Sequence, residues 1–212
     1  MAAPGLVVAY HGCDVTTCER LLAGKTRLRP SGNHYDWLGD GVYFFEGDWL
    51  RAYRFASMVR DRRSANLTTQ RIHAPAVVGA ILRVSHWLDM STQKGIAEFE
   101  RAYASLLAEG APLEENRRAR DDDADFMLRS LDRQVFNELH RRREHAGKPA
   151  YDAVRGPFVE GEPVLRASGI RSDTHLQIAL RNDACVLGYF RVLDLMAEEA
   201  RTAAMIEMWR RR

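Results

Sequence analysis

Three short fragments carry side chains whose types and neighbours suit chemistry on a flat, hydroxylated ligand. In Tyr10-His11-Gly12 a histidine closes an apolar run. Such a ring can donate from one nitrogen while the backbone fixes the other, and the glycine beside it lets a flat group approach main-chain N–H and C=O. In Gly39-Asp40-Gly41-Val42-Tyr43-Phe44 the glycines shape a turn, and Tyr43 offers an aromatic face for stacking. In Thr174-His175-Leu176-Gln177-Ile178-Ala179-Leu180, alternation sets Leu176, Ile178 and Leu180 on one face, and His175, Gln177 and Ala179 on the other. Gln177 is neutral, so its amide binds hydroxyls as donor and acceptor and cannot act as a general base. Taken singly, each fragment also fits an ordinary role: a structural strand-end histidine, a core aromatic, an exposed strand residue. The Gly-x-Gly is no dinucleotide fingerprint, because a strand and not a helix follows it.

The elements that must hold these groups can be read from pattern. Leu6 to Tyr10 reads as a buried strand, and Asp14 caps a helix from about Val15 to Ala23 that Gly24 stops. Lys25 to Asp40 is a long loop, which inside a compact domain is usually functional. Gly41 to Phe45 is a strand, and Asp48 caps a helix to about Arg63 with Leu50, Tyr53, Phe55 and Val59 inward. Ala76 to Val84 is the clearest strand. Ser91 to Glu109 and Ala124 to His145 read as amphipathic helices, joined by a polar link at 110–123. Gly147 to Asp173, rich in glycine and proline, reads as a long structured loop. His175 to Leu180 and Cys185 to Val192 read as a hairpin about Arg181-Asn182-Asp183, before a final helix over about 194–211. Strands at both ends with helices between them give an α+β class in a single domain over 1–212, with a helical insertion at about 91–146.

Composition narrows the class. The 212 residues carry 31 basic and 29 acidic side chains, so no global field draws the chain to nucleic acid. The arginine clusters at 60–63, 117–120, 141–143 and 210–212 read as solvated helix faces and ends. Cys13, Cys18 and Cys185 are odd in number and pair with no nearby histidine, which predicts neither a disulfide framework nor a metal site. Free thiols, no signal-like start and no run of membrane-span length together predict a cytoplasmic protein off the membrane.

Together the three fragments resemble the ADP-ribosyltransferases of the diphtheria-toxin and poly(ADP-ribose) polymerase lineage. The resemblance runs through His11-Gly12, Leu21-Leu22-Ala23-Gly24, Gly39 to Phe44, Arg51-Ala52-Tyr53-Arg54-Phe55-Ala56 and the strand bearing Gln177. The chain is similar to an uncharacterised bacterial branch of that lineage through Tyr35-Asp36-Trp37-Leu38-Gly39, Val78-Gly79-Ala80-Ile81 and His175 to Ile178.

This resemblance implies two small antiparallel sheets around an NAD cleft. It implies that His11 holds the ribose of the nicotinamide half, Gly12 clamps the carboxamide and Tyr43 lines the nicotinamide pocket. Gln177 stands where many members carry a catalytic glutamate, and an amide supplies no negative charge to an oxocarbenium-like transition state. That departure implies transfer of a single ADP-ribose unit. Arg54 takes the place of the usual second stacking aromatic, flanked by Tyr53 and Phe55. The loop from Gly156 to Asp173, with Phe158, Glu160, Glu162 and Arg171, corresponds to a target-recognition segment, or serves only to hold itself together. The function implied is an NAD-dependent mono-ADP-ribosyltransferase acting on a macromolecular acceptor, protein or nucleic acid. A bacterial toxin or defence effector held by an antitoxin or other inhibitor is the implied setting. NAD glycohydrolysis, and an NAD- or ADP-ribose-binding pseudoenzyme, are the alternatives.

Overall fold

The computed structural model describes residues 5–33, 36–61, 71–118, 126–192 and 208. Tyr35, the end of the second expected helix, the Arg120 to Asp123 run and the expected C-terminal helix lie outside them. Among the described residues the order is β1 (Leu6–Asp14), α1 (Val15–Leu22), β2 (Val42–Glu46), α2 (Trp49–Asp61), β3 (Pro75–Arg83) and β4 (Trp87–Asp89). Then come α3 (Gln93–Ala108), β5 (Asn116–Arg117), β6 (Leu128–Arg129), α4 (Ser130–His145), β7 (Ala153–Phe158), β8 (His175–Leu180) and β9 (Val186–Arg191). The α+β class holds.

The strands do not form the two small facing sheets that the resemblance implies, and β5 with β6 makes a separate two-stranded ladder. The other seven make one sheet in the order β4-β7-β8-β2-β1-β3-β9, antiparallel except for the parallel β4–β7 pair. A trace of division remains at the centre. β1 pairs β3 along its whole length, Leu6↔Arg83 to Asp14↔Pro75, but meets β2 only at Ala9↔Glu46 and Tyr10↔Phe45. Past Tyr10 the two strands part, and the sheet consists of a four-stranded and a three-stranded half joined by a two-pair seam.

Local chemistry explains most boundaries. Asp14 caps α1 by accepting from the Thr16 N–H at 3.0 Å, and Gly24 turns the chain at φ +66°. Thr92 caps α3 through the Gly95 N–H. The α4 helix begins six residues later than its apolar spacing predicts. Leu128 and Arg129 instead pair with Asn116 and Arg117, which leaves Phe126 45% exposed. Of the expected inner side of α2 only Val59 is buried, while Tyr53 and Phe55 pack partly buried at its margin. Ala52 and Ala56 are buried with it, because β1 comes so close at Gly12 that only small side chains fit there.

Two strands lie in expected loops, β5 in the polar link and β7 in the Gly147 to Asp173 segment, and β4 falls in a stretch between the expected strand and helix. β4 is short, and β7 lies inside the glycine- and proline-rich segment, where Pro157 falls past Arg155, the last residue that β4 pairs. The expected hairpin of β8 with β9 does not form. Backbone N–H groups of Arg181 and Asn182 both donate to Asp152 O, and a 3-10 turn at Asp183–Cys185 redirects the chain. β8 therefore sits between β7 and β2, while β9 crosses to the far edge beside β3.

Helices α2, α3 and α4 cover the sheet face that carries Phe45, Val77, Val154 and Ala179. The opposite face carries Ala9, Phe44, Ile178 and Leu82, with α1 over its Val78 end. Both faces of β8 are thus covered, so Gln177 is not an exposed strand residue.

Candidate functional site

Residues 11, 43 and 177 are far apart in sequence and fall on three neighbouring strands, β1, β2 and β8. Register fixes how they face. Phe45 lies opposite Gln177 and Tyr43 opposite Ala179, which puts Tyr43 and Gln177 on the face under α2 to α4. Tyr10 shares that face through Tyr10↔Phe45, and His11 points to the other.

The His11 ring occupies the seam where the ladder has stopped. Its Nδ1 lies 2.8 Å from Tyr43 O, and its ring meets Phe44 edge-on at 5.8 Å. A carbonyl only accepts, so Nδ1 carries the proton and Nε2 of the neutral ring keeps a lone pair. Burial lowers the His11 pKa, against a smaller opposite effect of the bond to Tyr43, and the ring stays neutral. His11 is therefore an acceptor for a hydroxyl, and ties the two halves of the sheet by its side chain where backbone pairing has ended.

Gly12 is set by packing as well as by any ligand. A Cβ there would stand 2.2 Å from Ala52 O, so the glycine lets α2 lie directly on β1. Tyr43 also departs from expectation. Its hydroxyl donates to Gly39 O and accepts from the Leu38 N–H, both at 2.9 Å. Burial pushes its pKa well up and keeps the phenol protonated. The side chain braces the 38–39 turn from beneath, with its ring against the core that includes Trp37 and Leu38.

Gln177 meets a partner that no spacing rule gives. Trp37 Nε1 donates to Gln177 Oε1 at 2.6 Å. Three contacts hold the Trp37 ring there. Gly156, opposite Gln177, has no side chain, and a Cβ on it would come within 2.8 Å of Trp37 Cη2. Phe158 packs against the indole at 5.3 Å between centroids, tilted by 51°. The Arg129 guanidinium lies over both rings, 4.9 Å from the Trp37 centroid and 4.6 Å from that of Phe158.

The loop that delivers Trp37 is built on buried Asp36. Its carboxylate accepts from Ser31 Oγ at 2.7 Å and from the Asn33 N–H, and its carbonyl accepts from the Gly39 N–H. Gly39 has φ +83°, a conformation suited to glycine, and sits hard against Phe136 and Asn137. Asp40 then accepts from Arg133 and Asn137 of α4. The inserted helices thus clamp the loop over β8.

A second cluster lies two residues upstream. His175 Nδ1 donates to Asp173 O at 2.6 Å, its ring packs on Phe45 and Phe158, and burial lowers its pKa. From α2, Arg51 pairs with Glu160 and Arg54 with Asp173. Arg54 is thereby an ion-pair partner of the 159–173 loop. A cavity of about 310 Å³ beside α4, lined by residues such as Glu114, Arg133 and Glu138, contains none of His11, Tyr43 or Gln177. All three cysteines are free and buried, and no group of metal-ligating side chains occurs among the described residues. No helix among them is long and apolar enough to cross a membrane.

Of the three groups around the Gln177 amide, sequence reasoning leaves out Arg129 altogether, and it puts Phe158 in the segment that corresponds to target recognition and not beside Trp37. Trp37 did stand in the Tyr35 to Gly39 fragment, but its reach of 140 positions to Gln177 leaves no periodic signal.

Comparison with known proteins gives little more. No family model matches the chain, and no solved structure matches it. The uncharacterized protein MJ0359 of Methanocaldococcus jannaschii is 40% identical over 40 residues, which cover 19% of this chain and 18% of that protein.

Proposed function

We propose that the chain binds NAD and transfers its ADP-ribose group to a macromolecular acceptor as a mono-ADP-ribosyltransferase. The observation that carries this reading is the gathering of His11, Tyr43 and Gln177 onto adjacent strands beside a parted seam. His11 Nε2 offers a lone pair to a ribose hydroxyl. Gln177 offers its amide from the opposite face of the sheet, so a ligand touching both has to pass through the parted seam. Tyr43 acts from below, fixing the turn that presents Trp37. Since the amide brings no charge to the forming cation, turnover is slow and stops at one unit.

On this reading the sheet is an ADP-ribosyltransferase core with its NAD cleft at the parted seam. Its setting is a bacterial toxin or defence effector restrained by a partner. The neutral Gln177, held in a bond to Trp37, favours a second reading as an NAD- or ADP-ribose-binding module without turnover. NAD hydrolysis is the third outcome.

Incubation of the pure chain with NAD labelled in the adenylate half, with and without cell lysate, separates these. Label retained on macromolecules and released by protease or by nuclease supports transfer and names the acceptor class. Free ADP-ribose alone means hydrolysis. Intact NAD that nevertheless binds means a pseudoenzyme, and no binding at all overturns the reading.

A further inference from the structure

We propose that the wedge between the Trp37 and Phe158 rings is a subsite for a flat cationic ring, and that the nicotinamide end of NAD takes the place Arg129 holds there. This rests on the NAD reading. The wedge itself is a property of the structure and is testable without NAD.

Four observations lead to it. The two rings meet at 5.3 Å and 51°, which opens a V and not a closed stack. A planar cation already lies over both faces, the Arg129 guanidinium at 4.9 and 4.6 Å. The wedge adjoins Gln177 through the Trp37 indole N–H at 2.6 Å. Tyr43, the other aromatic at this face, has both roles of its hydroxyl committed to the 38–39 turn and its ring packed inward.

The chemistry matches. A nicotinamide ring bonded to ribose through its ring nitrogen is flat and carries one positive charge, as a guanidinium does. Aromatic faces attract such a cation, and Trp most strongly. A ring seated at the V would put its attached ribose toward the Gln177 amide. Arg129 reaches the V from the residue that precedes α4, with its Nε donating to Phe126 O at 2.9 Å. Its guanidinium and an incoming cation compete for the same two faces and repel each other, so removing the charge at position 129 opens the subsite.

The test uses the full chain and 1-methylnicotinamide, a flat cation with neither ribose nor phosphate, with neutral nicotinamide as control. Binding is read by quenching of Trp fluorescence and by calorimetry. In Arg129→Ala the cation should bind about tenfold tighter than in the wild type, with neutral nicotinamide weaker on both. Arg129→Met, which keeps the stem over the rings, should show the same direction if the alanine variant folds poorly. Trp37→Leu should remove the gain. Equal affinity of both Arg129 variants and wild type, or equal binding of the neutral ring, overturns the subsite. NAD titrated in parallel keeps the two ideas apart: a cation that binds the wedge while NAD does not leaves the subsite standing and sinks the NAD reading.

Discussion

The indole N–H of Trp37 ends on the amide oxygen of Gln177, 2.6 Å away. An indole is a donor only, so the partner atom must be the oxygen, and this settles which end of the amide is which. Oε1 is turned to Trp37, and Nε2 is the end that can donate to a ligand. Gln177 thereby becomes an oriented N–H donor, and Trp37 a positioning residue that acts through it.

Trp37→Phe keeps a ring over Gly156 and beside Phe158 but removes the donor. We expect NAD cleavage to fall about tenfold, roughly 1.4 kcal/mol in the transition state, with KM changed less than twofold. A double-mutant cycle distinguishes positioning from general damage. In a Gln177→Ala background, which itself loses most turnover, Trp37→Phe should cost nothing further. A full additional loss would show that Trp37 acts on the fold and not through the amide.

Gln177→Glu tests the charge. A carboxylate still accepts from Trp37 and places its second oxygen where Nε2 stood. Negative charge there favours an oxocarbenium-like transition state, so NAD cleavage should rise at least about tenfold, within the range that one preorganised electrostatic partner supplies. Transfer to the acceptor should fall if the acceptor needs the amide N–H. Wild-type rates for cleavage and transfer in both Gln177→Glu and Gln177→Ala would remove β8 from the chemistry.

His11 is tested by binding. Its Nε2 lone pair is available to a hydroxyl only while Nδ1 donates to Tyr43 O. His11→Ala should weaken NAD at least about tenfold by calorimetry. His11→Phe keeps ring bulk in the seam and should weaken it equally, since neither variant can accept. Affinity retained in His11→Phe would mean that the ring only fills space.

Much of this site was legible and some was not, for physical reasons. The three fragments announced themselves because each puts a polar or aromatic group beside glycine or a strand end, and such signals are local. The Asp14 cap and the Gly24 stop are local in the same way, and both stand. Partners that arise from long-range pairing left no trace. Nothing in Ala153 to Phe158 marks it as a strand between β4 and β8, because its glycine and proline read as loop. The β8–β9 hairpin that adjacency in sequence predicts does not form, because Asp152 captures the connecting turn. Large apolar residues suggest the inner face of α2, but the governing contact is Gly12 against Ala52.

That contact gives a stability test. Gly12→Ala puts a Cβ 2.2 Å from Ala52 O, a backbone atom that cannot rotate away. Either β1 or α2 must shift, a cost of about 1–3 kcal/mol or more. Gly24→Ala meets no neighbour, and there only the φ of +66° is strained, at about 1 kcal/mol. Chemical denaturation should therefore rank Gly12→Ala clearly below Gly24→Ala. The reverse order would mean that α2 does not rest on β1 at this point.

His140 lies in the α4 core, edge-on to Tyr151 at 6.2 Å, and its Nε2 is buried without a hydrogen-bond partner. Burial, with the cations of Arg181 and Arg143 nearby, lowers its pKa to about 3. His11 and His175 are lowered as well, each mainly by burial. His140 stays neutral in the fold down to about pH 3, and His11 and His175 take up protons at lower pH in the fold than in the unfolded chain, whose histidines protonate from about pH 6.5 downward. Unfolding then gains protons, so stability is level above that pH and falls as acid is added, for His140 until about pH 3. Denaturation midpoints measured from pH 8 to pH 4 should decline below about 6.5. His140→Phe, which cannot protonate, should flatten part of that decline, and the part left belongs to the other histidines. A slope unchanged in His140→Phe would mean that the ring protonates as easily in the fold as out of it.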